Sequence, residues 1–121
     1  MSISIQEVKA FINMNMRDVH TQEDIAKRFN YSVETLRKDF RRKEGRALHE
    51  FILRARIEMA KKLLIQTDFP CKEICFKVGF KREDSGARSF KENTGVPMKE
   101  FRMKYRNGEK LQRFNKKKWS V

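Results

Sequence analysis

The sequence predicts an all-α fold: two helix-turn-helix subdomains joined by a long central helix, about seven helices in all. Three observations predict it. Five Gly and two Pro, against ten Phe and six Met in 121 residues, favour helices over strands and still leave material for a core. Apolar residues recur at helical spacing along most of the chain. The chain also repeats itself. At an offset of fifty, Phe40 falls on Phe90, Gly45 on Gly95, Glu50 on Glu100 and Phe51 on Phe101. Lys38 likewise meets Arg88, Arg41 meets Lys91 and Leu48 meets Met98. Upstream, an offset of forty-nine pairs Asp24 with Glu73, Ile25 with Ile74, Arg28 with Lys77 and Tyr31 with Phe80. The one-residue slip falls in a turn, where insertions are tolerated.

The elements follow in order. Ile5, Val8, Phe11 and Ile12 mark an amphipathic first helix whose polar face is not basic, so it is expected to pack on the body rather than on a membrane. Thr21-Gln-Glu-Asp24 has the form of a capping box, and Ile25, Ala26 and Phe29 follow on one face. Asn30 and Tyr31 make the break, and Ser32 caps the next helix. That helix spans 33–44, turns Val33, Leu36 and Phe40 inward, and ends at Gly45, which can take a left-handed conformation. Its outer face carries Glu34, Arg37, Lys38 and Arg41, with Arg42 and Lys43 near the end. A short-turn pair with a polar, basic second helix is the arrangement that fits a major groove. From Leu48 to about Gln66, the residues Phe51, Ile52, Ala55, Met59, Ala60, Leu63 and Leu64 describe one helix without Gly or Pro. Its length, about 27 Å, approaches the ~34 Å between successive major-groove faces on one side of B-DNA. Arg54 and Arg56 read either as braces to neighbouring helix ends or as exposed side chains. The second copy then places its outer helix over 82–93. The expected division is 1–47 for the N-terminal helix and first subdomain, 48–66 for the linker helix, 67–106 for the second subdomain and 107–121 for a basic, possibly disordered tail.

A net charge of +13 makes a polyanion the expected partner. From Arg102 onward there are eight basic residues and one acid, +7, so residues 1–101 hold the other +6. No apolar run reaches the ~18 residues of a membrane span, and the N-terminus lacks the pattern of a secretory signal. Cys71 and Cys75 stand at i, i+4 without a third ligand at suitable spacing and read as packing residues. His20 and His49 are isolated. No nucleophile–base pair, phosphate loop or carboxylate dyad appears, which argues against an enzyme, and no cofactor or metal is expected. The setting is expected to be the cytoplasm, on the nucleoid. Trp119 could pack on the body or anchor a partner.

The pattern resembles the DNA-binding domain of AraC/XylS-family transcription regulators over residues 3–106. The resemblance rests on Cys71-Lys-Glu-Ile74-Cys-Phe-Lys-Val78-Gly79-Phe80, Arg88-Ser-Phe90-Lys91, Thr94-Gly95-Val96-Pro97 and Phe101-Arg102, with the linker Arg56-Ile57-Glu58-Met59-Ala60-Lys61-Lys62-Leu63-Leu64. It implies two homeodomain-like units, sequence-specific binding to double-stranded promoter DNA, and activation through RNA polymerase. By matching position it implies base contacts from Glu34, Arg37 and Lys38 in the first unit and from Asp84, Ala87 and Arg88 in the second, with Glu83 a weaker candidate. Phosphate contacts fall to Ser32, Arg41, Arg42, Arg82 and Lys91. Members often carry a sensor or dimerisation domain before this module. None lies in this chain, which reads as a small stand-alone regulator or as the C-terminal part of a larger one.

The second unit departs from the pattern. Gly86 stands where the first unit has Leu36, an expected loss of ~1 kcal/mol in helix propensity and of a core side chain worth a few kcal/mol. Lys81 and Arg82 replace the small hydroxyl cap, and Glu83 and Asp84 bring acids close to phosphates. The first unit is therefore expected to supply most of the specific affinity, the second being more mobile or less selective. Two other readings stay open: a non-specific architectural nucleic-acid binder driven by the tail, and an interaction module whose second unit docks on polymerase or a partner.

Overall fold

The computed structural model describes residues 4–19 and 21–106, in which seven helices and no strand are found. The expected tail at 107–121, with Trp119, and His20 lie outside the described residues. The helices are α1 (Ile5–Met14), α2 (Gln22–Arg28), α3 (Val33–Glu44), α4 (Leu48–Gln66), α5 (Cys71–Lys77), α6 (Glu83–Thr94) and α7 (Met98–Tyr105).

The local signals act where the sequence places them. Thr21 Oγ1 accepts from the Asp24 amide at 3.3 Å while Asp24 accepts from the Thr21 amide at 3.0 Å, a complete capping box. Ser32 accepts from the Thr35 amide at 3.1 Å and starts α3. The turn between the paired helices needs a left-handed residue, supplied by Asn30 (φ 58) in the first unit and Gly79 (φ 102) in the second. The amide of the residue after it closes each turn alike, Tyr31 on the Ala26 carbonyl and Phe80 on that of Cys75. The repeat is thus one of backbone geometry as well as sequence.

Each unit owns a core. In the first, Val8, Ile12, Ile25, Leu36 and Phe40 are almost wholly buried, and Phe40 packs on Phe51 with ring centroids 5.6 Å apart. In the second, Ile74, Val78, Phe90 and Phe101 play the same parts, with Phe90 edge-on to Phe101 at 5.3 Å. The central α4 serves both. Leu48, Phe51 and Ile52 enter the first core, and Ile57, Ala60 and Leu64 the second, so one rigid element carries two domains' worth of apolar face. Ile57 falls outside the stripe read from the sequence. Met59 and Leu63 of that stripe are only half-buried.

Two expectations change. Arg82 is the N-cap of α6 rather than its first residue, and the helix runs one residue further, to Thr94. Gly86 does not leave a gap. A Cβ built there would lie 2.8 Å from Cys75 Sγ and 3.0 Å from a Phe80 ring carbon. The first unit pairs Ala26 with Leu36; the second pairs Cys75 with Gly86, moving bulk from one helix to its neighbour. Density is kept, which is what a close-packed core requires.

The end of α4 receives a basic residue that the sequence assigned to the charged C-terminal run. Arg102 donates from Nε to the Leu64 carbonyl at 2.9 Å and from Nη2 to the Thr67 carbonyl at 3.0 Å. A guanidinium suits these carbonyls, which carry the helix's partial negative charge. Arg106 pairs with Asp68, and Lys104 with Glu100 at 3.4 Å. Three of the eight cations counted toward a tail therefore belong to the fold. Residues 107–121 keep five basic residues and one acid, +4.

Candidate nucleic-acid interface

The outer faces of α3 and α6 present Glu34, Arg37, Lys38 and Arg41 in the first unit and Asp84, Ala87, Arg88 and Lys91 in the second, all exposed. At the offset of fifty these are equivalent positions. Their surroundings differ.

In the first unit the side chains are tethered to one another. Arg37 Nε donates to Gln22 Oε1 in a short hydrogen bond, so α2 reaches across and holds the guanidinium from behind. Lys38 pairs with Glu34 one turn earlier at 3.5 Å, an open pair that water screens. Arg41 stays exposed beside a cleft of about 230 Å³, lined also by Gln22, Arg37, Ala47, Leu48 and His49. Arg42 is turned toward Asp39, which it meets at 2.8 Å. Ser32 Oγ is occupied by its cap and by the Thr35 hydroxyl at 2.9 Å.

In the second unit the charges meet at the start of the helix. Arg82 grips Asp84 through two bonds, Nε to Oδ1 at 3.1 Å and Nη2 to Oδ2 at 3.0 Å. The hydrogen bond from Arg82, helped by its charge and the Ser85 amide, holds the Asp84 carboxyl below the usual carboxylate range against an opposing desolvation. Arg82 and Asp84, both expected on DNA, are thus occupied with each other. No side chain caps α6. Arg88 has no ion-pair partner among the described residues and is the accessible cation of this helix's first half. Ala87 stands where the first unit has Arg37, and Cys71 where it has Gln22, so the tethered guanidinium has no counterpart.

The two cysteines are free thiols, Cys71 half-buried and Cys75 buried. Burial, then the charges of Glu83 and Cys71, push the Cys75 thiol up to about 11, where it stays neutral as a packing atom. Gln22 and His49 are the residues that sequence reasoning missed. Gln22 lay hidden inside a capping box read only for its end residues, and His49 was read as isolated. Only the crossing of α2, α3 and α4 brings them beside Arg37 and Arg41.

Two helix-turn-helix units with exposed basic second helices on one connecting helix define a DNA-binding transcription-regulator module. The helix-turn-helix domain model matches residues 25–104. AarP, a transcriptional activator of Providencia stuartii, is 31% identical over 99 residues, 82% of this chain and 73% of AarP. The multiple antibiotic resistance protein MarA of Escherichia coli is 28% identical over 109 residues, 89% of this chain and 85% of MarA. The DNA-binding domain of the global transcriptional factor AdpA, solved with a target DNA, superposes with a TM-score of 0.78 at 25% identity. That match covers 87% of this chain and 95% of the domain. The chain belongs to the AraC/XylS family of transcription regulators. It spans less than half the length of several other curated relatives. No helix among the described residues is long and apolar enough to cross a membrane.

Proposed function

We propose that the chain binds one promoter site sequence-specifically by placing α3 and α6 in successive major grooves, and that it activates transcription from there in the cytoplasm, on the nucleoid, through RNA polymerase. Base readout falls to Glu34, Arg37 and Lys38, and to Asp84, Ala87 and Arg88. Ser32, Arg41, Arg42, Arg82 and Lys91 meet phosphates, with the segment 107–121 adding attraction that is independent of sequence. The first unit carries most of the selectivity. The observation that supports this best is the difference at equivalent positions: Arg37 is held by Gln22, whereas its counterpart is Ala87. A guanidinium fixed through Nε keeps its two Nη groups for guanine O6 and N7, the commonest specific major-groove contact. Arg82 shares its guanidinium with Asp84, whose charge offsets its attraction to a phosphate and so costs affinity without adding selectivity.

A footprint on a selected site tests the proposal. Protection over about two helical turns, abolished by Arg37→Ala and weakened steeply between ~50 mM and ~200 mM salt, is the expected result. A net charge of +13 favours one rival, an architectural binder. Uniform protection that survives Arg37→Ala would select it instead.

A further inference from the structure

Between the two cores lies a seam. The connection from α1 to α2 straddles it: the Met16 side chain is buried in the second core, the Val19 side chain in the first. Arg56, near the middle of α4, sits at the crossing. Its Nη2 donates to the Val19 carbonyl at 2.5 Å, and its guanidinium carbon lies 5.3 Å from the centroid of the Phe80 ring. Its Nε is buried without a hydrogen-bond partner among the described residues. On the far side, Gly79 presses against the same place. A Cβ there would stand 2.3 Å from the Met16 carbonyl oxygen and 3.1 Å from Arg56 Nε, and φ is +102.

An arginine in this seam is costly, because a buried donor without a partner forfeits its hydration. An apolar side chain would fill the seam without that cost, but apolar contacts slide over one another. A guanidinium that donates to a carbonyl of one unit and stacks on a ring of the other has a preferred direction for each. We propose that Arg56 is a positioning residue: it fixes the angle between the two helix-turn-helix units and so sets the half-site spacing that α3 and α6 accept. The consequence for DNA rests on the reading that both helices engage one site. Moving one half-site by a base pair displaces its groove by about 3.4 Å and rotates it by about 35°. A locked pair of units cannot follow that shift; a loose pair can.

Two measurements on the full chain separate the parts of this inference. Residual dipolar couplings of the free protein are compared for α2–α3 and α5–α6. One alignment tensor should fit both units in the native chain. Arg56→Met, which keeps length and bulk, should give tensors of different magnitude, and Arg56→Lys should fall between. Phe80→Leu attacks the seam from the other unit and serves if Arg56→Met does not fold. A single tensor in the variants as in the native chain would overturn the inference. The second measurement compares binding to the selected site with binding to the same site carrying one inserted base pair. The insertion should cost the native chain about tenfold or more, the scale of a lost base-pair contact, and Arg56→Met about threefold or less. Undiminished discrimination in a variant whose tensors differ would overturn the link to spacing. A native chain that selects no DNA site would instead sink the underlying function, while the coupling result would still decide whether Arg56 holds the units together.

Discussion

The two units share their backbone and differ in how they use it. Both turn at a left-handed residue, both end the outer helix at a glycine of φ 86, and both close a phenylalanine pair against the following helix. Within that frame the first unit has a hydroxyl cap at Ser32, a large core residue at Leu36 and a guanidinium held from behind at Arg37. The second has an uncapped α6, a glycine at 86 and an arginine–aspartate pair across the helix start. Core density and surface chemistry are therefore separable. The second unit compensates its missing core side chain with Cys75, whereas Ala87 and Cys71 stand where the first unit has Arg37 and Gln22. A duplicated motif can stay equally folded while its copies diverge in what their outer helices present.

The largest effect that would sharpen this contrast lies in the core. Gly86→Leu should destabilise by about 3 kcal/mol, since the new side chain meets Cys75 Sγ and the Phe80 ring. Adding Cys75→Ala, which recreates the first unit's pairing, should recover a large part of it, with a coupling of about 2 kcal/mol in a double-mutant cycle by denaturant unfolding. Strict additivity would mean that the two residues do not exchange space.

Next comes the surface. Arg37→Ala should cost about 2 kcal/mol of specific binding, whereas Arg88→Ala should cost less than half as much in the same titrations. Equal losses would break the asymmetry at its centre. A smaller gain is expected from Asp84→Asn. It releases Arg82 from a charged partner, so affinity for any duplex should rise about twofold to threefold, within the range of an exposed pair, with any change in sequence preference confined to the base pair that Asp84 reads.

A further effect is confined to alkaline pH. The Cys75 thiol is raised from 9.0 to about 11 on folding, so the native state holds a proton that the unfolded chain has released. The thiol's contribution is complete below pH 9.0 and lost as pH climbs toward about 11. Subtracting the pH profile of Cys75→Ala, the counterpart of Ala26, from that of the native chain isolates this slope. At neutral pH the slope should be flat.

Much of the fold was legible because its signals are local. Thr21, Ser32 and Gly45 bound their helices by capping chemistry that involves neighbours within four residues, and α3 falls where those signals place it. The repeat supplied the architecture. Contacts set by helix crossings were not legible. Gly86 looked like a deletion because its partner, Cys75, lies on another helix. Arg102 looked like part of a basic tail because the carbonyls that it caps are 35 and 38 residues away. Arg56 gave no hint of choosing Val19 over solvent. At the candidate interface the outward positions of α3 and α6 could be read from periodicity, but which of them would be tethered, paired or free could not. That depends on Gln22 reaching from α2 and on Arg82 bending back to Asp84.

Selection of bound sequences from a random duplex pool tests the division of labour most directly. Two conserved blocks should emerge about one helical turn apart, with sequence information concentrated in the block that Arg37→Ala erases. The other block should be shallow and little altered by Arg88→Ala. Two blocks of equal information, each erased by its own arginine substitution, would contradict a regulator read mainly by its first half.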